Sequence, residues 1–262
     1  MDFPILSSLI LLPVLGAIFI FFSKSNNNLT IKYLALFVSF ANFILSLYLW
    51  YLFDTTTSEF QFLEERSWIK GFINYKVGVD GISILFIILT TFITPLCVVS
   101  VNDTIKNRLK DFLVAILIME SLMIGVFCSL DLVVFYLFFE GGLIPMFLII
   151  GIWGGEKRVY SAFKFFLYTL LGSVLMLVAI ISIYWMTGTT DVEILYNIGI
   201  EAKYQNEELS TIDGVKIDFA EEWVHLRKSN TEPIIRIYTE AKSPEKAEAL
   251  ATRFISELQE LI

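Results

Sequence analysis

The sequence predicts an all-α, multi-span membrane region followed by a small α+β domain. Hydrophobic residues make up 56% of the 262 residues and charged residues only 18%, whereas a soluble domain has about 25% charge. The last 65 residues hold 8 of the 19 Lys and Arg and 13 of the 27 Asp and Glu. We therefore divide the chain into a six-span membrane region, residues 1–197, and a separate domain, residues 198–262.

Six segments are long enough to cross a bilayer, whose hydrocarbon core of about 30 Å needs roughly 20 residues of helix. They are apolar on all faces, unlike the one-sided helices of a soluble bundle. The segments are Phe3–Phe22, Ile31–Phe53, Gly81–Val101, Phe112–Ser129, Leu132–Trp153 and Tyr160–Met186. Asp131 directly precedes the fifth apolar run, so we expect it to be the N-cap of that helix.

The loop charges predict an orientation, because Lys and Arg favour cytoplasmic loops. The first, third and fifth connections carry eight of them, and the second and fourth carry three. The odd loops are therefore expected to face the cytoplasm and both termini the outer side of a bacterial inner membrane. The net charge of −8, without a basic stripe, argues against a nucleic-acid partner.

Two carboxyl groups are predicted near the middle of the bilayer. Glu120 lies ten residues before Leu130 in the turn between the fourth and fifth spans, and Glu140 lies ten residues after it. At 1.5 Å per residue, each is about 15 Å from the turn. Ionisable groups at that depth are costly and are functional candidates by default, and desolvation favours a carboxyl group that can take up a proton.

Glu140 has further sequence context. Gly141 and Gly142 allow close approach of a neighbouring helix, and Pro145 should bend the fifth span because it removes a backbone hydrogen bond. The alternative for Glu140 is a protonated side chain bonded to a neighbouring helix. Lys164 lies about two turns into the sixth span and is either part of the same proton path or a side chain that snorkels to the membrane surface.

The last 65 residues show strand and helix patterns. Alternation of apolar and polar residues predicts three strands, around Val215–Phe219, Trp223–Arg227 and Ile234–Tyr238. Ser243 and Pro244 then predict the start of a C-terminal helix. His225 is expected at the surface of the second strand.

Several motifs of the membrane region occur in the order of one known family. They are Gly78–Ser83, Phe135–Phe147, Gly151–Gly155 and Lys164–Thr169. Residues 1 to about 195 resemble a truncated chain M (chain 4 in mitochondria) of proton-pumping NADH:quinone oxidoreductase, an antiporter-like subunit. The resemblance implies proton translocation in a respiratory complex, with Glu140 matching the family's mid-membrane glutamate and other membrane subunits and the lipid bilayer as partners. Later family helices, with their lysines, are missing, so this chain alone is not expected to pump.

The C-terminal domain resembles an unrelated family. The stretches Asp213–Ile217 and Trp223–Pro233, with Arg236, are similar to the C-terminal domain of the phosphohexomutases. The resemblance implies a phosphate-binding loop for a phosphosugar. Its residues would be Arg227, Ser229, Asn230, Thr231 and Arg236. The mutase's other catalytic loops have no counterpart in residues 1–200, so mutase catalysis is not expected.

Three functions remain open on the sequence. The first is a truncated proton-translocating subunit that acts only within a larger complex. The second is a membrane-tethered phosphosugar-binding module, and the third is a non-functional chimera. No cofactor motif and no metal site are predicted for any of them.

Overall fold

The computed structural model describes residues 3–23, 27–57, 59–69, 73–101, 105, 107–196, 208–210, 215–219, 221–228 and 235–259. Within these residues, six helices are long and apolar enough to cross a membrane. They are α1 (Ile5–Phe22), α2 (Asn28–Leu52), α3 (Ser83–Ser100), α4 (Leu109–Cys128), α5 (Leu132–Trp153) and α6 (Arg158–Thr187). The predicted fold class is confirmed, and the bounds of the spans differ from the prediction by a few residues at their ends.

The chain separates into two compact units. The first unit comprises residues 1–53 and 60–192, and the second comprises residues 54–59 and 193–262. All six membrane helices belong to the first unit.

Helix α4 lies at the centre of the first unit. It packs against α1, α2, α3 and α5, whereas α6 packs mainly against α5. One cluster of buried apolar residues joins the helices α1, α2, α3 and α4 and the strand Ile73–Val79. A second cluster joins the same four helices nearer their other ends. We call α1–α4 the inner helices and α5–α6 the outer pair.

The connection between α2 and α3 contains a β-hairpin. Strand β1 (Gln61–Ile69) pairs with the antiparallel strand β2 (Ile73–Val79). The Glu64 carboxylate accepts from the backbone N–H of Leu6, 2.8 Å away, and from that of Ser7. The first backbone N–H groups of a helix have no acceptor within the helix. Because Pro4 gives α1 no side-chain cap, the Glu64 carboxylate serves as the acceptor for two of them.

The hydroxyl groups of Ser7 and Tyr75 also take part in the contact between the hairpin and the start of α1. The Ser7 hydroxyl donates to the Glu64 carboxylate and lies 2.9 Å from the Tyr75 hydroxyl. Burial raises the pKa of Tyr75 to about 12. The phenol therefore remains neutral and available as a hydrogen-bond donor throughout the physiological range.

A polar clamp links the hairpin, the α4–α5 turn and the segment after α6. Asp131 is the N-cap of α5, as predicted, and accepts from the backbone N–H of Val133 and of Val134. Its other oxygen accepts from the Thr190 hydroxyl at 2.6 Å. Lys76 and Asp191 form an ion pair at 2.7 Å, with side chains only 11% and 15% exposed.

The opposite ends of the helices are joined by donors to backbone carbonyls. The Lys110 ammonium donates to the carbonyl of Ser23 at 2.8 Å. The Lys32 ammonium donates to the carbonyl of Val99 at 3.0 Å. Both lysines thus satisfy carbonyls at helix C-termini, where a positive charge is favourable.

The second unit is an antiparallel sheet with a helix on one face. The three predicted strands are present as β4 (Val215–Asp218), β5 (Trp223–Lys228) and β6 (Ile235–Glu240), and the short strand β3 (Glu208–Ser210) extends the sheet in the order β3-β4-β5-β6. Helix α7 (Pro244–Gln259) follows. The core is formed by Ile217, Val224, Leu226, Leu250 and Phe254.

Sequence patterns account for this arrangement. Val224 and Leu226 alternate into the core, so His225 lies on the other face of β5, half-buried, with its ring centroid 6.3 Å from that of Tyr238. The Ser243 side chain and carbonyl accept from the first turn of α7, as expected of an N-cap before Pro244.

Candidate functional site

Glu120 is buried between the inner helices. Its side chain is 2% exposed, and its Oε1 accepts from the Nδ2 of Asn42 on α2 at 2.9 Å. The Oε2 of Glu120 and the Oδ1 of Asn42 are also buried, and neither has a hydrogen-bond partner among the described residues. The structure therefore turns Glu120 towards α2.

Asn42 belongs to a buried polar face that the prediction missed. Ser39, Asn42 and Ser46 are all fully buried on α2, and their spacing of three and four residues puts them on one face of the helix. The Ser46 hydroxyl lies 2.7 Å from that of Thr91 on α3. This spacing of polar residues within an apolar span was the signal that would have identified the face.

Glu140 has a different environment. It lies on α5, in the outer pair, and its side chain is half-buried. Its Oε2 is buried and has no hydrogen-bond partner in the part of the chain that the structure describes. The carboxyl group thus has one oxygen that can still bind a proton donor or acceptor.

Glycines bring α4 and α5 together at one place. A Cβ added at Gly125 of α4 would lie within 3.0 Å of the Phe138 ring of α5. A Cβ at Gly141 would lie 3.1 Å from Leu122, so the predicted close approach holds at Gly141, whereas a Cβ at Gly142 would meet no atom within 4 Å. Close contact of the two helices therefore depends on Gly125 and Gly141.

Lys164 does not join Glu140. It is exposed on α6, and no ion pair or hydrogen bond connects it with either glutamate among the described residues. The three predicted proton-path residues thus occupy three separate environments on three helices.

The predicted phosphate-binding residues are described only in part. Ser229, Asn230 and Thr231 lie outside the described residues. Arg227 and Arg236 are directly opposite each other in the register of β5 and β6. The backbone therefore puts both arginines near the end of β5 that leads into residues 229–231.

A metal site is not visible in the described ranges. No group of three or more His, Cys, Asp or Glu side chains in them is arranged to hold a metal ion.

Two family models match different parts of the chain. Residues 129–215 match the NADH:quinone oxidoreductase/Mrp antiporter transmembrane family. The membrane region is similar to antiporter-like subunits of NADH:quinone oxidoreductase. Residues 191–257 match the phosphoglucomutase/phosphomannomutase C-terminal domain, so both predicted resemblances are confirmed.

Curated relatives match the membrane region. NADH-quinone oxidoreductase subunit M of Rhodobacter capsulatus is 58% identical over 161 residues, which are 62% of this chain and 31% of the relative. NADH-ubiquinone oxidoreductase chain 4 of Marchantia polymorpha is 47% identical over 192 residues, 72% of this chain and 39% of the relative. The chain thus spans about a third of the length of these relatives.

Solved structures show the same arrangement of helices. A chain of respiratory complex I from Thermus thermophilus with bound NADH superposes with a TM-score of 0.62 at 29% identity, over 72% of this chain and 38% of that one. An archaeal membrane-bound sulfane sulfur reductase gives the same TM-score at 17% identity over 74% of this chain and 39% of that one, a likeness of fold alone. The chain is therefore a multi-pass membrane protein with the helix arrangement found in respiratory membrane complexes.

Proposed function

We propose that residues 1–197 act as part of a proton-translocating membrane subunit of NADH:quinone oxidoreductase, within a larger complex. The observation that carries the proposal is the buried, unpartnered Oε2 of Glu140 on a mid-membrane helix, among the described residues. A carboxyl group of this kind can accept and release a proton without first breaking a strong hydrogen bond. The similarity to subunit M over most of the membrane region supports the same function.

The low burial of the outer pair supports the proposal that the chain acts together with partner subunits. Only 11% of the residues in the most apolar stretch of α6, and 17% of those in α5, are buried within the chain. The exposed face of this pair offers surface for other membrane subunits of the complex or for lipid. In this proposal Glu120, Glu140 and Lys164 belong to one proton path, and the groups that connect them lie in those partners.

We also propose that both termini face the outer side of a bacterial inner membrane. The clamp of Lys76, Asp131 and Asp191 brings the hairpin, the α4–α5 turn and the end of α6 to one side. Most of the loop Lys and Arg lie on the other side, which the positive-inside rule assigns to the cytoplasm.

The test is proton pumping by a complex that has incorporated this chain. Membranes that contain the full chain are solubilised, and co-purification with other respiratory subunits is measured first. Glu140→Gln, which keeps the size of the side chain but removes its proton exchange, should lower NADH-driven acidification of vesicles. Glu156→Gln, in the exposed turn after α5, is the matched control and should leave pumping unchanged.

Two results would contradict the proposal. If the chain does not co-purify with respiratory subunits, it does not act within a complex. If it does co-purify and Glu140→Gln pumps like the parent complex, Glu140 has no role in the proton path.

A second candidate function is phosphosugar binding by residues 198–262. The observation that favours it is the register of Arg227 opposite Arg236. Arg227 closely precedes Ser229, Asn230 and Thr231 in the sequence, and the guanidinium group of arginine can bind two phosphate oxygens at once. Titration calorimetry of the full chain in detergent with glucose 6-phosphate tests this function. A saturable heat that Arg227→Met removes would support it; we expect none, since one domain supplies only one wall of a mutase site.

A further inference from the structure

The pair of Asn42 and Glu120 is incomplete as a hydrogen-bonded unit. Asn42 lies on α2 and Glu120 on α4, and one bond joins them, from Nδ2 to Oε1 at 2.9 Å. The two remaining oxygens, Oδ1 of the amide and Oε2 of the carboxyl group, are both buried and have no partner among the described residues. Burying two polar atoms without hydrogen-bond partners is unfavourable, because each atom loses its hydrogen bonds to water and gains none in return.

Protonation of Glu120 would satisfy both oxygens at once. An ionised carboxylate has only acceptors, and so has the amide oxygen, so the two atoms cannot bond to each other. A protonated carboxyl group has one O–H, which can donate from Oε2 to the Oδ1 of Asn42. The two groups would then form a ring of two hydrogen bonds, one N–H to oxygen and one O–H to oxygen.

Neighbouring hydroxyl groups offer no alternative donor to Oε2. Ser121 donates to the carbonyl of Ile10 at 2.6 Å. Ser39, Ser46, Thr91 and Thr94 donate to carbonyls of their own helices. An ionised Glu120 would therefore have a single neutral hydrogen bond inside a membrane helix bundle, which is a strongly unfavourable state for a buried charge.

Nearby cations do not offset that charge either. Helices α1 and α3 contain no charged residue, and the charged residue of α5 is Glu140, another acid. Lys32 on α2 and Lys110 on α4 each lie ten residues from the pair, about 15 Å along the helix axis. Both ammonium groups donate to backbone carbonyls of Val99 and Ser23.

We propose that Glu120 carries a proton at neutral pH and that Asn42 is the positioning residue that retains it. The pair is then a proton store within the inner helices, on the opposite side of α4 from its contact with the outer pair. Its use in translocation rests on the proposed function, whereas the protonation of Glu120 does not.

Infrared spectroscopy of the full chain in detergent at neutral pH tests the proposal. A protonated carboxyl group gives a C=O band well separated from the amide bands, and the band moves when the proton is exchanged for deuterium. We expect Glu120→Gln to remove one such band from the spectrum. Glu140→Gln identifies any band that comes from the other glutamate within the membrane helices.

Asn42 is tested by the position of the same band. Asn42→Leu should shift the Glu120 band to higher frequency, because the C=O group loses a hydrogen bond. Ser39→Ala is the matched control, since Ser39 is equally buried on the same face of α2 and bonds to its own helix. It should leave the band where it is.

A second variant keeps the test valid if Asn42→Leu does not fold. Asn42→Ala removes the amide group without adding a second carboxyl group, so the Glu120 band should again shift. The proposal is overturned if Glu120→Gln removes no band, or if the band stays in place in the Asn42 variant. Neither result depends on pumping, so a normal Glu120 band with normal pumping of Glu140→Gln would overturn the proposed function alone.

Discussion

The inner helices and the outer pair are equally apolar but differ greatly in burial. Helix α4 has a mean hydropathy of 2.2 over its most apolar 18 residues, and 44% of those residues are buried. The corresponding values for α6 are 2.4 and 11%. Hydropathy measures how well a helix tolerates lipid, and it does not report which surface meets protein. The difference shows that α1–α4 form the self-contained part of the unit, and that α5–α6 are attached to it along one side.

The two glutamates within the membrane helices follow the same division. Glu120, among the inner helices, is 2% exposed and bonded to Asn42, whereas Glu140, in the outer pair, is half-buried and has a free Oε2 within the described residues. Equal distance from a turn therefore does not produce equal chemistry. One acid is hydrogen-bonded to a neighbouring helix, and the other has a buried oxygen without such a bond among the described residues.

Breaking the polar clamp that links the hairpin to the segment after α6 should lower the stability of the protein the most. Lys76→Met removes the ammonium group that faces Asp191 and leaves a largely buried carboxylate, which costs about 3–5 kcal/mol. The midpoint of unfolding in mixed dodecyl maltoside and SDS micelles measures the loss. Hydrogen exchange should rise first in the segment around Thr190.

Arg108→Met is the matched control for the clamp. Arg108 forms an ion pair with Asp111, but their side chains are 62% and 39% exposed, so the pair contributes about 0–1 kcal/mol. Equal losses in the two variants would mean that the buried pair does not hold the outer pair in place.

Overpacking the contact between α4 and α5 should lower the stability of the protein by an intermediate amount. Gly125→Ala puts a methyl group against the Phe138 ring, and overpacking of this kind costs about 1–3 kcal/mol. Gly142→Ala, on α5, adds the same group where no atom lies within 4 Å, so it should not lower the unfolding midpoint. A larger loss for Gly142→Ala would show that the two faces are wrongly assigned.

The smallest effect is expected at the start of α1. Glu64→Gln removes the negative charge that accepts from Leu6 and Ser7, and charge at a helix N-terminus contributes roughly 0.3–1 kcal/mol. Glu65→Gln is its control, because Glu65 is exposed and bonds to Asn74 within the hairpin. The same micelle titration compares the two, and a greater loss for Glu65→Gln would remove the capping role of Glu64.

The sequence predicted the local features of the fold and of the candidate site. Apolar runs gave the six spans, Asp131 was recognised as an N-cap from its position before such a run, and Ser243 and Pro244 marked the start of α7. The glutamates could be found because a charge within an apolar run is conspicuous. Their partners could not, since Asn42 is 78 residues from Glu120 and nothing in the chain links the two.

The sequence by itself determined which segments form apolar helices long enough to cross a membrane and where along its helix each acid lies. Both follow from hydrophobicity and the fixed rise of a helix, which are local properties. Only the tertiary structure decided that Glu120 faces Asn42, that Lys76 pairs with Asp191 across 115 residues, and that Glu64 caps α1. A span that is apolar on every face carries no pattern to say which face meets which neighbour, so packing makes that choice.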